Sequence, residues 1–368
     1  LRASYGAVGN SAIDPYQTIA GLSKYDYLFG EDASNKFFAY RPSMIPNKDL
    51  GWEISRTANF GVDFGLWNNR ISGYIEGYIT KTSDLLMERT LPFFTGFSKV
   101  WQNIGKTENK GIELNIQANT LKTKSFSWET TVTFARNWNK ITELLGGGDI
   151  RNNSWFIGKP LQVHYNYEMI GVWQLGEEKE AQKYGAIPGD IKVKDQNNDG
   201  SIGELDKVIL GQKDPKIIAS LLNSFRFGAF DASINLNMNF GSLIHPNTYA
   251  SLITRDGLRW MPSNFKYWTP DNPTNEYTRA DKLSGYDPFA GTGGYMKGDY
   301  IKIQDITLGY DFSKIMPKNW KILRARLYAQ VRNLGYIYKA CKNDVSPEAP
   351  DFDYNIPTTY TMGINIDF

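Results

Sequence analysis

The sequence predicts an all-β protein, a transmembrane antiparallel β-barrel. Three observations lead to this fold class: long runs in which apolar and polar residues alternate, connections that alternate between short and long, and an aromatic content of 14% in 368 residues. The hydrophobic fraction of 41% is too high for a disordered chain. Since no apolar run approaches the ~20 residues of a membrane-spanning helix, strands must provide any membrane crossing.

Alternation with a period of two residues begins clearly at residues 52–66. Every even position from Trp52 to Leu66 is apolar except Arg56, and the odd positions are small or polar. A second alternating run starts at Arg70, after the short Asn-rich connection 67–69, which is typical of a hairpin. Further alternating runs cover residues 112–119, 126–137, 217–227, 231–240, 300–312, 321–333 and 360–368.

The length of these runs favours a membrane protein. Soluble sandwiches have strands of about five or six residues, whereas a tilted strand needs ~9–11 residues to cross a bilayer. The polar face is rich in Asn, Ser, Thr and Glu, as expected for a water-filled lumen. A soluble β-sandwich or β-solenoid also alternates and remains the alternative.

The connections between the runs alternate in length, as they do in outer-membrane barrels. We expect periplasmic turns near 67–69, 120–125, 228–229 and 313–320, and outer loops at 7–51, 83–108, 139–215, 242–298 and 334–357. The alternation holds only if 139–215 is one extracellular excursion, so the strand-like piece 163–174 must lie off the barrel. The loop 242–298 is then a second large extracellular loop.

This orientation gathers aromatic residues at one rim, where an interfacial aromatic girdle is expected. The alternative is a set of ordinary strand-end aromatics. The aromatic residues that this orientation places at the rim are Trp67, Phe126, Phe227, Phe230, Phe312, Trp320 and Phe368.

Charge, cysteine and histidine content exclude several functions. Forty-one basic residues nearly balance 39 acidic ones without a like-charge block, which argues against nucleic-acid binding. Cys341 is the single cysteine, and the two histidines, His164 and His245, are interpreted as loop hydrogen-bonding residues. We find no catalytic constellation and expect no enzyme. The start at Leu1 has no signal peptide and indicates a fragment of a longer protein.

One segment has the residue spacing of a calcium loop. Positions one, three and five are Asp195, Asn197 and Asp199, position six is a glycine, and position twelve is Asp206. Alternate oxygen ligands and the glycine turn suit Ca²⁺, with Ser201 contributing its carbonyl. We expect a structural Ca²⁺ ion here. The alternative is an Asn/Asp/Gly turn whose side chains bond their own backbone.

The motifs of the chain together resemble the SusC/RagA family of TonB-dependent outer-membrane transporters of Bacteroidetes. The order and spacing of the motifs, more than any one of them, carry the resemblance across the chain. They are residues 1–6 (LRASYG), 9–10 (GN), 49–53 (DLGWE), 109–113 (NKGIE), 188–191 (PGDI) before the Asp195 loop, 268–273 (WTPDNP), 308–310 (LGY), 346–348 (SPE) and Phe368. Residues 331–335 (VRNLG) depart from the family's GQNL-like stretch.

The resemblance implies that this chain is the C-terminal part of the barrel, about ten strands of roughly 22. The plug domain and the segment that contacts the TonB complex would lie in an N-terminal region absent from this chain. The family also implies an outer-membrane location with lipid around the barrel, a SusD-like surface lipoprotein as partner, and uptake of oligosaccharides or peptides. Phe368 would be the signal read by the barrel assembly machinery.

Four loop aromatics are candidate stacking platforms for a sugar substrate: Trp155, Trp260, Tyr267 and Trp268. Each of them also suits a structural or lid-contacting role. Two other functions stay open: a passive porin or adhesin-like barrel, and a secreted β-rich carbohydrate-binding protein.

Overall fold

The computed structural model describes most of the chain, namely residues 1–11, 13–14, 18–19, 21–28, 36–254, 265–279, 289, 291–317, 322–342, 345–351 and 356–367. In these residues the strands are β1 (Arg2–Asn10), β2 (Leu22–Leu28), β3 (Lys36–Pro42), β4 (Glu53–Leu66), β5 (Ile71–Ser83), β6 (Leu86–Thr90), β7 (Lys99–Asn103), β8 (Gly105–Lys122), β9 (Phe126–Leu144), β10 (Val163–Asn166), β11 (Met169–Val172), β12 (Ile191–Val193), β13 (Val208–Gln212), β14 (Ile217–Phe227), β15 (Phe230–Phe240), β16 (Leu243–Ile244), β17 (Met296–Lys297), β18 (Tyr300–Asp311), β19 (Arg324–Lys339) and β20 (Thr359–Asp367). Two short α-helices, α1 (Glu178–Lys183) and α2 (Asn247–Thr254), and five 3₁₀ turns (Phe93–Thr95, Arg151–Asn153, Glu204–Asp206, Thr292–Gly294 and Ser313–Ile315) complete the elements. No helix in the described ranges is long and apolar enough to cross a membrane.

A single large sheet dominates the fold. Its ten strands follow the order β1-β4-β5-β8-β9-β14-β15-β18-β19-β20, so chain neighbours within the sheet are also spatial neighbours. Neighbouring strands such as β14 with β15, and β18 with β19, pair in antiparallel fashion. The all-β prediction is therefore confirmed, and the nine alternating segments of the sequence form one sheet together with β1.

The first hairpin of the sheet shows why the alternation predicts the strands. On one face, hydroxyl pairs join the strands, with Ser55 to Thr82 and Thr57 to Thr80 each at 2.8 Å. On the opposite face the apolar side chains stay open, and Phe60 is 58% exposed. The turn that joins β4 to β5 has left-handed backbone at residues 67–69, with φ of 51–58°.

The chain divides into two compact units, each with its own small buried cluster. Residues 1–63, 75–112 and 137–162 form the first unit, and 64–74, 113–136 and 163–368 form the second. In the first unit the buried cluster is Ile104, Ile141, Leu144 and Trp155. In the second unit the buried cluster is Tyr249, Tyr277, Cys341 and Val345.

Several strands are longer than the sequence predicts. β8 begins at Gly105 although a loop was expected up to residue 108, β9 continues to Leu144, and β19 continues to Lys339. At the start of β8, Lys106, Glu108 and Lys110 occupy the face that is apolar from Ile112 onwards, and near the end of β9 Lys140 and Glu143 lie on opposite faces. The alternation therefore fades while the backbone pairing continues. β10 and β11 pair with β13 and β12 outside the large sheet, as the parity of the connections predicts for residues 163–174.

The predicted rim aromatics lie at strand ends. Trp67, Phe227 and Phe230 are 72%, 63% and 61% exposed. Trp320 and Phe368 lie outside the described residues. The exposed rings fit the girdle hypothesis, which stays a prediction.

Candidate functional site

The segment between β9 and β14 folds into a small structure of its own. β11 pairs with β12, and β10 pairs with β13. Lys192 of β12 donates to Glu177 at 2.7 Å and lies 4.2 Å from the centre of the Trp173 ring. That ion pair and the hydrogen bond from the Gln174 N–H lower the pKa of Glu177. The loop with calcium-type spacing, residues 195–206, runs from β12 to β13 and is anchored at both ends.

The first half of the loop is a tight turn held by its own carboxylates. Asp195 accepts hydrogen bonds from the N–H groups of Asn198 (2.6 Å) and Gly200 (2.9 Å). Asp199 accepts from Ser201 Oγ at 2.7 Å and from Asn197 Nδ2 at 2.8 Å. Gly200 has φ of +84°, a conformation that favours glycine. The predicted glycine turn is therefore present.

Asp206 closes the neck of the loop. Its two carboxylate oxygens accept hydrogen bonds from the N–H groups of Gln196 (2.8 Å) and Gly203 (2.7 Å). Asp206 is only 1% exposed. The structure thus brings Asp195, Asn197, Asp199 and Ser201 into one turn and places Asp206 beneath it. Within the described ranges, no three His, Cys, Asp or Glu side chains converge as a metal-holding group.

The donor set of the loop still suits a hard cation. Hydrogen bonds from Ser201 and Asn197 lower the pKa of Asp199, so its exposed carboxylate is ionised above acidic pH. Tyr184 donates a long hydrogen bond of 3.4 Å to Asp195. Burial and the charge of Asp195 raise the pKa of the Tyr184 hydroxyl. Each carboxylate oxygen has two lone pairs, so one N–H bond leaves acceptor capacity.

Of the three candidate stacking aromatics that the structure describes, two are buried. Trp155 is 8% exposed within the core of the first unit, and Trp268 is 6% exposed. The Trp268 indole donates to Gln174 at 2.9 Å, and its ring packs over Gly189. Tyr267 is half-buried and stacks on Phe265 at 6.1 Å. Trp260 lies outside the described residues. Burial gives Trp155 and Trp268 packing roles, and stacking on a ligand stays a prediction.

Both histidines are hydrogen-bonding residues, as predicted, but His164 lies in strand β10 and not in a loop. His164 Nε2 lies 2.9 Å from the carbonyl of Leu243, and His245 Nε2 lies 2.8 Å from that of Gly291. Both rings contact Tyr295, at centroid distances of 5.1 and 4.3 Å. Burial lowers the pKa of His164, so its ring is held neutral.

Ion pairs on the polar face of the sheet were missed by the sequence analysis. Lys302 of β18 donates to Glu348 at 2.7 Å, and Arg326 of β19 pairs with Asp231 of β15. A cavity of about 350 Å³ next to the second pair is also lined by Arg226, Arg324 and Glu129. Charged residues at polar positions of alternating runs are the sequence signal that could have identified these sites.

Comparison with known proteins gives a consistent result. The family model described as TonB dependent receptor-like, beta-barrel, matches residues 1–334. Among curated proteins, TonB-dependent receptor P3 of Formosa agariphila is 29% identical over 403 residues, covering 100% of this chain and 39% of the relative. TonB-dependent receptor SusC of Bacteroides thetaiotaomicron is 28% identical over 359 residues, covering 93% of this chain and 34% of SusC.

Solved structures show the same fold. A structure of the RagAB peptide transporter superposes with a TM-score of 0.77 at 22% identity, covering 100% of this chain and 40% of that chain. The RagAB importer in its open-open state gives a TM-score of 0.71 at 23% identity, with the same coverage of both chains. The chain spans about 40% of the length of the first relatives and structures that it matches.

Proposed function

Because this chain belongs to the TonB dependent receptor-like β-barrel family, with the SusC/RagA resemblance supported by SusC and the RagAB structures, we propose that it forms one wall of an energised nutrient importer. Proteins of this family are located in the outer membrane, and so is this chain. The TonB complex would supply the energy through a region outside the chain. A transporter family also argues against an enzyme.

The polar face of the ten-stranded sheet is the observation that carries this proposal. Within the second unit it combines hydroxyl, amide and charged groups, including a hydrogen bond of 2.7 Å from Asn239 to Tyr300. The opposite face exposes Leu308 by 60% and Met362 by 77%. A sheet with one polar and one apolar face is what separates a water-filled lumen from lipid in a transmembrane barrel.

We infer that the substrate is an oligosaccharide or a peptide and that a SusD-like surface lipoprotein is the partner. Support comes from the relatives: SusC is a TonB-dependent receptor, and RagAB is described as a peptide transporter and importer. Among the candidate stacking aromatics that the structure describes, Trp155 and Trp268 are buried and Tyr267 is half-buried beside Phe265, so Tyr267 is the ring we propose for ligand contact.

Uptake by the intact protein tests this proposal. Cells that carry it should accumulate fluorescently labelled oligosaccharides or peptides, and loss of TonB or collapse of the proton gradient should abolish accumulation. The surface lipoprotein should co-purify with the barrel. Uptake that persists without TonB would favour a passive porin. Recovery of the intact protein in the soluble fraction without detergent would favour a secreted carbohydrate-binding protein.

We propose that residues 195–206 hold a structural Ca²⁺, with ligands from Asp195, Asn197, Asp199, Asp206 and the carbonyl of Ser201. The lowered pKa of Asp199 and the left-handed backbone of Gly200 support this proposal. Terbium luminescence provides the test, because Tyr184 touches Asp195 and can sensitise a bound lanthanide.

D195N/D199N should abolish the terbium signal and its displacement by Ca²⁺. D214N changes an exposed carboxylate in the same excursion and should leave both unchanged. A terbium signal equal in both variants would contradict the calcium site.

We propose that Phe368 is read by the barrel assembly machinery. Deletion of Phe368 should lower the amount of folded protein in the outer membrane while total synthesis stays constant. Equal amounts of folded protein with and without Phe368 would contradict this role.

A further inference from the structure

The outer end of the first unit has an unusual feature on the apolar face of its sheet. A cleft of about 690 Å³ opens there, which we call the outer-wall cleft, defined by Tyr5, Arg56, Ala58, Ile79, Lys81 and Lys106. Most of the face is apolar, so a concentration of basic residues on it needs an explanation.

The orientation of Arg56 and Lys81 follows from the pairing of β4 with β5. Hydrogen bonds between hydroxyls place Ser55, Thr57 and their partners on the polar face. Because side chains alternate, Arg56 and Lys81 point to the opposite face. Phe60 and Ile79 of that face are 58% and 44% exposed, so both basic residues lie on the side proposed to contact lipid.

The sequence position of Arg56 corresponds to headgroup depth. The apolar band of a barrel is about 25 Å tall, which about ten tilted strand residues span. In β4, Arg56 lies ten positions before Leu66, the last strand residue before the short turn. Arg56 therefore falls at the upper edge of the band, where lipid phosphates lie.

The electrostatics of the outer-wall cleft favour an anion. Within the part of the chain that the structure describes, Arg56 and Lys81 form no ion pair. The carboxylate of Glu108 also lines the cleft, and its charge is matched by Lys110 at 3.1 Å and Lys140 at 3.2 Å. Lys106 has one partner, Glu143, at 2.7 Å. Two exposed cations thus remain available in the same cleft.

We propose that the outer-wall cleft binds the phosphate headgroup of an anionic lipid of the outer leaflet. Arg56 and Lys81 would bind the phosphate oxygens, because guanidinium and ammonium groups are the usual phosphate donors. The acyl chain would lie over Ala58, Ile79 and Phe60. This site lies on the outside of the sheet and is independent of the proposed import through the polar side.

Native mass spectrometry of the intact protein in a neutral detergent tests the site. Dioleoyl phosphatidic acid is titrated as the probe, and dioleoyl phosphatidylcholine, which has the same chains and no net charge, is titrated in parallel. We expect one saturable phosphatidic acid site. Loss of two cations in R56Q/K81Q should weaken phosphatidic acid binding about thirtyfold, and K81Q alone should show an intermediate loss.

The matched control is K48Q/K179Q, which removes two exposed lysines outside the sheet and should bind phosphatidic acid as the native protein does. Heat-modifiable electrophoretic mobility verifies that each variant is folded. Equal phosphatidic acid binding by the two double variants, or equal binding of phosphatidylcholine, would overturn the proposal. Displacement of the lipid by an equal concentration of inorganic phosphate would also overturn it, because the cleft would then be a simple anion site.

Discussion

Asp231 and Arg326 form an ion pair that reaches over an entire β-strand. Arg326 Nε donates to Asp231 Oδ1 at 2.8 Å, and Nη2 donates to Oδ2 at 2.5 Å. Asp231 lies in β15 and Arg326 in β19, while β18 runs between them. Gly309 of β18 pairs directly with Asp231, and its missing side chain leaves the space through which the two groups meet.

Replacement of Gly309 by alanine should break this ion pair. A Cβ atom at Gly309 would lie 2.5 Å from Arg326 Nη2 and 2.6 Å from Asp231 Oδ1, closer than atoms can pack. We expect G309A to lower the free energy of unfolding by about 1–3 kcal/mol, a value between those of exposed and buried ion pairs. The temperature at which the folded band disappears in electrophoresis measures the loss.

Gly77 provides the matched control, because a Cβ there would meet its nearest atom at an ordinary 3.8 Å. G77A should therefore keep the native unfolding temperature. If G309A and G77A unfolded at the same temperature, the ion pair would contribute nothing to stability.

The sheet could be predicted from the sequence because each strand carries its own signal. In β15, the polar positions Asn235, Asn237 and Asn239 alternate with apolar ones, and a period of two residues needs no knowledge of the neighbouring strands. The partner of Asp231, in contrast, lies 95 positions away. Which side chain it meets depends on the registers of β15 with β18 and of β18 with β19, which local pattern does not reveal.

For the candidate site too, the local turn could be predicted from the sequence, whereas the long-range packing could not. The turn at Gly200 follows from local chemistry, since the Asp and Asn side chains there bond the backbone within a few residues. The burial of Trp155 and Trp268 could not be predicted. It depends on packing of Trp155 with Ile104 and of Trp268 with Gly189, which lie 51 and 79 positions away in the chain.

The ion pair of Lys302 and Glu348 should fix the connection between β19 and β20. Lys302 is 4% exposed, and Tyr336 donates a second hydrogen bond to the same carboxylate at 2.8 Å. E348Q leaves the buried ammonium group of Lys302 without its counter-charge. We therefore expect the local free energy of unfolding to fall by about 2–4 kcal/mol. Hydrogen exchange of residues 345–351, followed by mass spectrometry, measures this change.

The pair of Lys342 and Glu276 serves as the control for the same substitution. Both side chains are more than half exposed. E276Q should therefore change the free energy of local opening, derived from hydrogen exchange, by less than about 1 kcal/mol. An E348Q variant with native protection at residues 345–351 would contradict the anchoring role.

The neutral state of His164 should make the segment around β10 sensitive to acid. Burial lowers the pKa of His164 in the folded chain below its ordinary value of 6.5. Below pH 6.5 the unfolded segment gains a proton that the folded one does not, so stability falls as the pH decreases. Hydrogen exchange of residues 163–166 should rise between pH 7.5 and 5.5, after correction for the intrinsic rate.

H164Q retains a donor for the Leu243 carbonyl and should remove this pH dependence. H245Q should keep it, because burial outweighs the charge of His245 as the cause of the lowered pKa. An unchanged pH response in H164Q would show that another group is responsible.

Trp155 should act through packing and not through contact with a substrate. Its ring fills the cluster with Ile104, Ile141 and Leu144, all at most 8% exposed. W155A should cost about 3–5 kcal/mol by leaving a cavity, seen as faster hydrogen exchange at residues 141–144. L145A, at a neighbouring position that is 50% exposed, should leave exchange unchanged. W155F preserves an aromatic ring in the core and should transport substrate normally, whereas a selective loss of uptake in folded W155F would assign the indole to the substrate path.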